Sequence, residues 1–319
     1  MPMSAAPSLA AIRSAASHID PVFLNSPIRR SDALDAALDC VILAKDETGN
    51  PIHSFKGRGT EFFAATALQP GEAIVSASAG NFGQGLARAA SRRGHRCIIF
   101  AAETANPLKI EAMRGFGAEV RLTGSDFDAA KAAARAYAAE TGLRFVEDGA
   151  EPTISEGAGT IGLELAEAGE FDTLLVQLGN GALLAGIGTA LRAVLPNVEI
   201  VAVVAANAPS MKLSLEAGRA IETERADTMA DGIAVRVPVP EILPILPACH
   251  DRLAMVSEAQ IFEAMRLIHT HLGLVTEPSG AAGLAAILAD PARFTGKRVA
   301  TILCGSNIAA PLRERLLAS

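Results

Sequence analysis

Four short stretches of this chain carry residue types able to do chemistry, and each sits where a backbone turns. In "HSFKGRG", Lys56 lies between the ring of Phe55 and the pliable pair Gly57 and Gly59. A lysine amine is a useful nucleophile only when held partly deprotonated or tied up as an imine. Glycine beside it lets backbone approach a ligand closely. The same letters also spell a solvated lysine in a turn. In "SASAGNFGQG", Ser78, Ala79, Gly80, Asn81 and Phe82 lead from a strand into a helix. Backbone N–H groups at such a turn suit an anion such as a carboxylate, and the Asn81 amide can bond a ring hydroxyl. An ordinary capped turn reads the same way. In "QLGNGALLAG", an apolar strand delivers Gly179, Asn180, Gly181, Ala182 and Leu183 to a helix start, where N–H groups and the helix dipole can wrap a phosphate. A dinucleotide site would require an acid at the end of the next strand, but "EIVAVVA" has its acid, Glu199, at the wrong end. In "ILCGSN", Cys304 closes a strand at the edge where open parallel sheets bind ligands, although a lone cysteine is more commonly buried structure.

The elements that must position these stretches follow from the hydrophobic pattern. Short β-rich runs at 73–78, 96–103, 118–124, 173–178, 199–205 and 299–305 alternate with Ala-rich helical segments. That alternation predicts an α/β fold of open, twisted, mostly parallel sheets covered by helices on both faces. Gly94, Gly117 and Gly142 stand where left-handed residues would end helices. The pattern lapses near 147–155, at "EDGAEPTIS". Two domains are expected, 71–146 forming a small one and 1–70 with 147–319 a large cofactor-binding one, with the active site in the cleft between them.

Composition excludes several classes. Aromatic residues are 4% of the 319 and Trp is absent, which leaves little for stacking on nucleic-acid bases. A net charge of −7 offers no general attraction to phosphate backbones or anionic lipid. Cys40, Cys97, Cys249 and Cys304 form no paired motif, so neither a disulfide framework nor a zinc site is expected, and a reducing cytoplasm is the natural setting. No apolar stretch reaches the ~20 residues of a membrane span, and the N-terminus has no signal-peptide core. His269 and His271 lack a third ligand and read as helix-end residues; no metal is expected.

Taken in order, "SFKGRG", "SAGNFGQG", "GNGALLAG" and "CGSN" resemble the serine/threonine dehydratase branch of the fold-type II pyridoxal 5′-phosphate enzymes. "EGAGTIGLEL", "MADGIAV" and "VTEPSGAAGLAAIL" extend the resemblance over nearly the whole chain. It implies Lys56 as the Schiff-base lysine, Phe55 packed near the cofactor ring and Asn81 bonded to the cofactor's O3′. It implies Ser78 to Phe82 as the substrate-carboxylate loop and Gly179 to Leu183 as the phosphate cradle. Cys304 falls where the family faces the pyridine nitrogen with Ser or Cys. A neutral partner there makes the ring a weaker electron sink, which favours expelling a β-leaving group over transamination.

Departures from the family's pattern sharpen the expectation. Asn180 and Ala182 interrupt a loop that is usually all glycine, which is tolerable if neither takes a strongly positive φ. His53 stands where Gly often precedes Ser54, and Phe82 where His is common, making the substrate side more apolar. Serine-racemising relatives carry Ser at position 79; Ala79 has no proton to give. Cation-binding relatives offer carboxylates where "VVAANAPSM" has none. The expected activity is α,β-elimination from a β-hydroxy-L-amino acid such as threonine or serine, by a cytoplasmic, catabolic homodimer without an appended regulatory domain. A dehydratase for a bulkier substrate (phenylserine or 3-hydroxyaspartate), an amino-acid racemase, an NAD-dependent oxidoreductase and a catalytically silent amino-acid binder on the same fold are the alternatives.

Overall fold

The computed structural model describes residues 6–318. Ten strands form two sheets: β1 (Ile28–Arg29), β2 (Val41–Asp46), β3 (Ile74–Ala77), β4 (Cys97–Ala101), β5 (Glu119–Leu122), β6 (Arg144–Phe145), β7 (Thr173–Gln177), β8 (Glu199–Ala205), β9 (Arg252–Val256) and β10 (Arg298–Leu303). The larger sheet runs β1-β2-β10-β7-β8-β9 and the smaller β5-β4-β3-β6. Among the strands of the described residues, β1 alone pairs antiparallel; the other strand pairings are parallel.

All six expected strands form, each within a residue or two of its expected span. The sequence "EIVAVVA" shows why they are nearly continuous apolar runs. Along β8, Ile200, Ala202 and Val204 enter one hydrophobic core while Val201, Val203 and Ala205 enter another on the opposite face. A strand buried on both faces has no polar side to alternate with. In the smaller sheet, Ile74 and Val75 divide between two cores in the same way. Gly94, Gly117 and Gly142 take left-handed φ values of 75°, 97° and 68° at helix ends, as expected.

Close backbone packing fixes the helices that hold the site. In the helix Pro152–Glu167, "EGAGTIG" brings Gly157 against the helix Lys56–Thr66; a Cβ there would lie 2.5 Å from the Arg58 carbonyl oxygen. Two residues on, Gly159 meets the helix Ala182–Val194 at the Gly186 carbonyl. The lysine helix and the helix that follows Gly181 are therefore braced against one shared neighbour. Small residues let these backbones approach where a larger side chain would separate them.

Candidate active site

Lys56 opens its helix, and the preceding turn is stitched to the far end of the chain. The Phe55 N–H donates to the Cys304 carbonyl at 3.0 Å, and the Ser54 hydroxyl donates to the same oxygen at 3.2 Å. Those bonds place Lys56 beside the C-terminal end of β10. Its Nζ lies 4.6 Å from the centre of the Phe55 ring, a cation–π contact, and donates to Asp148 Oδ2. His53 adopts a left-handed φ of 52°, which explains a preference for glycine there, and its ring packs toward Thr48 O, at 3.1 Å. It lines a separate cavity with Gln84 and Asn307, whereas Phe82 lines the cleft that holds Lys56.

The loop after β3 curls around Ser78, whose Oγ accepts from the N–H groups of Gly80 and Gly83 at 3.2 and 2.9 Å. Asn81 starts the helix Asn81–Arg92 and has its amide orientation fixed from both sides. Its Nδ2 donates to Glu277 Oε1 and Oε2 at 2.8 and 3.1 Å, and its Oδ1 accepts from Asn307 Nδ2 at 2.8 Å. The loop after β7 turns at Gly181, whose φ of 95° is strained for any residue with a Cβ. Neither Asn180 nor Ala182 takes a positive φ, so the two non-glycine residues fall where they cost nothing.

These pieces converge. Phe55, Lys56, Ser78, Ala79, Gly80, Asn81, Phe82, Gly179, Asn180, Gly181, Ala182, Leu183 and Cys304 all line one cleft of about 610 Å³. The cleft is at the C-terminal ends of β3, β7 and β10, where open parallel sheets bind ligands. Burial pushes the Cys304 thiol well above its ordinary value, with Glu277 adding to the rise, so it stays neutral. Burial likewise raises Glu277 to about 7, and nearby Asp231 adds to it.

Sequence reasoning missed two acids in this cleft. Glu277 precedes the uncharged helix Pro278–Ala289; a lone carboxylate ahead of "PSGAAGLAAIL" was the available signal. Asp148 lies in the lapse "EDGAEPTIS", which reads as a boundary rather than as chemistry. Among the described residues no three His, Cys, Asp or Glu gather as a metal site, and His269 and His271 lie in the last turn of the helix Glu258–Leu272. No helix among the described residues is long and apolar enough to cross a membrane.

Two parallel sheets meeting at a lysine-centred cleft define a class of α/β enzyme, and comparison with known proteins gives the family. Residues 19–305 match the family described as pyridoxal-phosphate dependent enzyme. The biosynthetic L-threonine dehydratase of Salmonella typhimurium is 34% identical over 288 residues, covering 89% of this chain and 56% of that protein. The chain thus spans about half the length of the first such relatives. Among solved structures, a threonine deaminase from T.th. superposes with a TM-score of 0.87 at 34% identity, over 95% of this chain and 99% of that one. Maize serine racemase gives 0.89 at 26%, over 98% of each. The chain belongs to the pyridoxal-phosphate dependent enzyme family.

The site fits that cofactor. The cleft is large enough for a cofactor and a small substrate, within the usual ~300–1,000 Å³. Lys56 offers a primary amine inside it, and the neutral Cys304 thiol lines the same space. The Gly181 turn presents a helix N-terminus suited to a phosphate.

Proposed function

We propose that this protein catalyses α,β-elimination from a β-hydroxy-L-amino acid, with threonine or serine as substrate, to give a 2-oxo acid and ammonia. The observation that carries the reading is the convergence of Lys56, the Ser78–Phe82 loop, the Gly181 turn and neutral Cys304 on one cleft. Bound pyridoxal phosphate supplies an aldehyde for an amine and a ring that draws electron density from Cα. Gly179, Asn180, Gly181, Ala182 and Leu183 would hold its phosphate, Phe55 would pack near its ring, Asn81 would bond its ring oxygen, and Cys304 would offer its nitrogen a neutral partner.

The chain's own residues then divide the work. The Ser78–Phe82 loop binds the substrate carboxylate at a helix N-terminus and so fixes the orientation of Cα. Lys56, as a free amine, takes the Cα proton. The hydroxyl leaves only with a proton, because hydroxide is a poor leaving group. A racemase must also protonate the opposite face of Cα, and Ala79 brings no acid to the loop. That favours elimination.

The remaining expectations belong to the same proposal. We assign 71–146 to the small domain and the remaining residues to the large one, with the cleft between them. A cytoplasmic location is supported by four free cysteines, all buried. A homodimer is what the resemblance implies, and a catabolic role belongs to the same proposal.

The test is a panel of β-hydroxy amino acids given to cofactor-loaded protein, with 2-oxo-acid release and optical rotation followed together. Oxo acid from serine or threonine is expected. Loss of rotation without oxo acid would make the protein a racemase. Reaction only with phenylserine or 3-hydroxyaspartate would change the substrate and keep the chemistry.

A further inference from the structure

We propose that Asp148 is the acid that protonates the departing β-hydroxyl and then recovers its proton from Lys56. The inference rests on the elimination chemistry proposed above and assigns one of its steps. Asp148 is 8% exposed and lies in the turn after β6, lining the same cleft as Lys56. Its Oδ2 accepts from Lys56 Nζ, while its Oδ1 is buried with no hydrogen-bond partner among the described residues. An oxygen left bare in a polar cleft costs free energy unless something that enters supplies a partner.

The position of this carboxyl is fixed rather than incidental. Gly149, at φ 92°, backs directly onto the phosphate-side loop; a Cβ there would lie 2.5 Å from the Asn180 carbonyl oxygen. The Asp148 turn is therefore held against the Gly179–Leu183 loop on one side and Lys56 on the other. Other acids lining the cleft are committed elsewhere. Glu277 holds Asn81, Asp231 pairs with Lys109, Asp128 pairs with Arg236, and Asp126 caps the helix Phe127–Thr141. Glu224 and Asp227 are exposed. Only Asp148 is seen touching the amine.

The contact supplies what the reaction needs at both ends. Lys56 must shed its ammonium proton before it can act, and the carboxylate touching Nζ is the nearest place for it. Asp148 then carries that proton as the acid. Lys56 takes the Cα proton, and the Cα–H electron pair becomes the second Cα–Cβ bond. The Cβ–O pair departs on oxygen, which takes the Asp148 proton and leaves as water. The new proton on Nζ passes back to Oδ2 along the contact seen here. One water leaves the substrate, both side chains return to their starting forms, and no oxidant or reductant is consumed.

The test compares leaving groups in the holoenzyme. Chloride departs from β-chloro-L-alanine without a proton, whereas the hydroxyl of serine or threonine requires one. D148N is expected to lower kcat on the hydroxy substrates by about 10²-fold or more, and on β-chloro-L-alanine by a far smaller factor. D148E, which keeps a carboxyl, restores part of the hydroxy-substrate rate. Borohydride fixation followed by peptide mass should show the cofactor on Lys56 to the same extent in wild type and both variants. If D148N slows both leaving groups equally, or neither, with the label intact, Asp148 is not the acid. If D148N no longer holds the label, the decision falls to D148E, for which equal slowing on both leaving groups overturns the proposal. Wild-type protein inactive on both substrates would remove the elimination reading itself, a different failure.

Discussion

Lys56 and Arg58 stand two residues apart on one helical turn, and their surroundings differ in almost every respect. Arg58 is fully buried and forked between two carboxylates. Its Nε and Nη2 donate to Glu47 at 2.9 and 2.7 Å, and its Nη1 and Nη2 donate to Glu164 at 2.5 and 2.9 Å. The Thr160 and Ser26 hydroxyls take further N–H donors, at 3.0 and 3.2 Å. Burial opposes this charge, but Glu47 and Glu164 outweigh it and keep the guanidinium protonated. Lys56 faces a cleft and has one carboxylate partner that itself has a bare oxygen. A charge that holds a fold together is saturated with partners; a charge that is to react is left with one it can release.

The sharpest way to break this contrast is to remove each cation in turn. Lys56→Ala should lower oxo-acid formation by at least ~10³-fold and abolish the borohydride label. It should disturb the unfolding midpoint much less than Arg58→Ala does, because a single carboxylate loses its partner and it lines a cleft. Arg58→Ala strands Glu47 in the interior and leaves Glu164 with Lys45 alone, and an apoprotein denaturation curve should show a loss of about 3–5 kcal/mol. Arg58→Lys should recover little of it, since an ammonium cannot fork between two carboxylates. Equal stability losses for the two alanine variants would dissolve the distinction.

Glu277 gives a smaller and pH-dependent effect. Burial raises it to about 7 from its ordinary value of 4.5, so between those values the folded chain holds a proton the unfolded chain has released. That stabilisation is fully present below about 4.5 and is lost as pH rises through about 7. Glu277→Gln removes the titration. Wild-type apoprotein should lose stability relative to the variant between pH 4 and pH 8, by at most roughly 3 kcal/mol. A constant gap across that range would mean that the carboxyl ionises without cost.

How much of this was legible depended on whether the signal was contiguous. Two of the four motifs, those around Asn81 and Gly181, run strand, turn and helix within a few residues, so pattern alone placed each at the end of a strand. Strand β2 escaped because "VILAKDE" ends in charges that read as solvated. Lys45 and Asp46 are in fact buried, paired with Glu164 at 2.6 Å and Arg29 at 2.9 Å, partners no local window contains. Strand β9 escaped because it is a sheet edge with mostly half-buried residues and no clean alternation. Strands β1 and β6 span only two residues each. Asp148 and Glu277 escaped for a reason of distance along the chain. The first meets Lys56 from 92 positions away, and the second meets Asn81 from 196.

The bonds from Ser54 and Phe55 to the Cys304 carbonyl have a consequence for how the protein is made. Their partners lie about 250 positions apart, so a ribosome must deliver the last parallel strand before the reactive amine has a fixed location. Until then the segment around residue 56 is an unanchored stretch of nascent polypeptide, no more prone to capture an aldehyde than any other exposed amine. With Lys56 in the role proposed above, loading therefore waits for that closure, and a free vitamer meets a folded receptacle rather than an open segment.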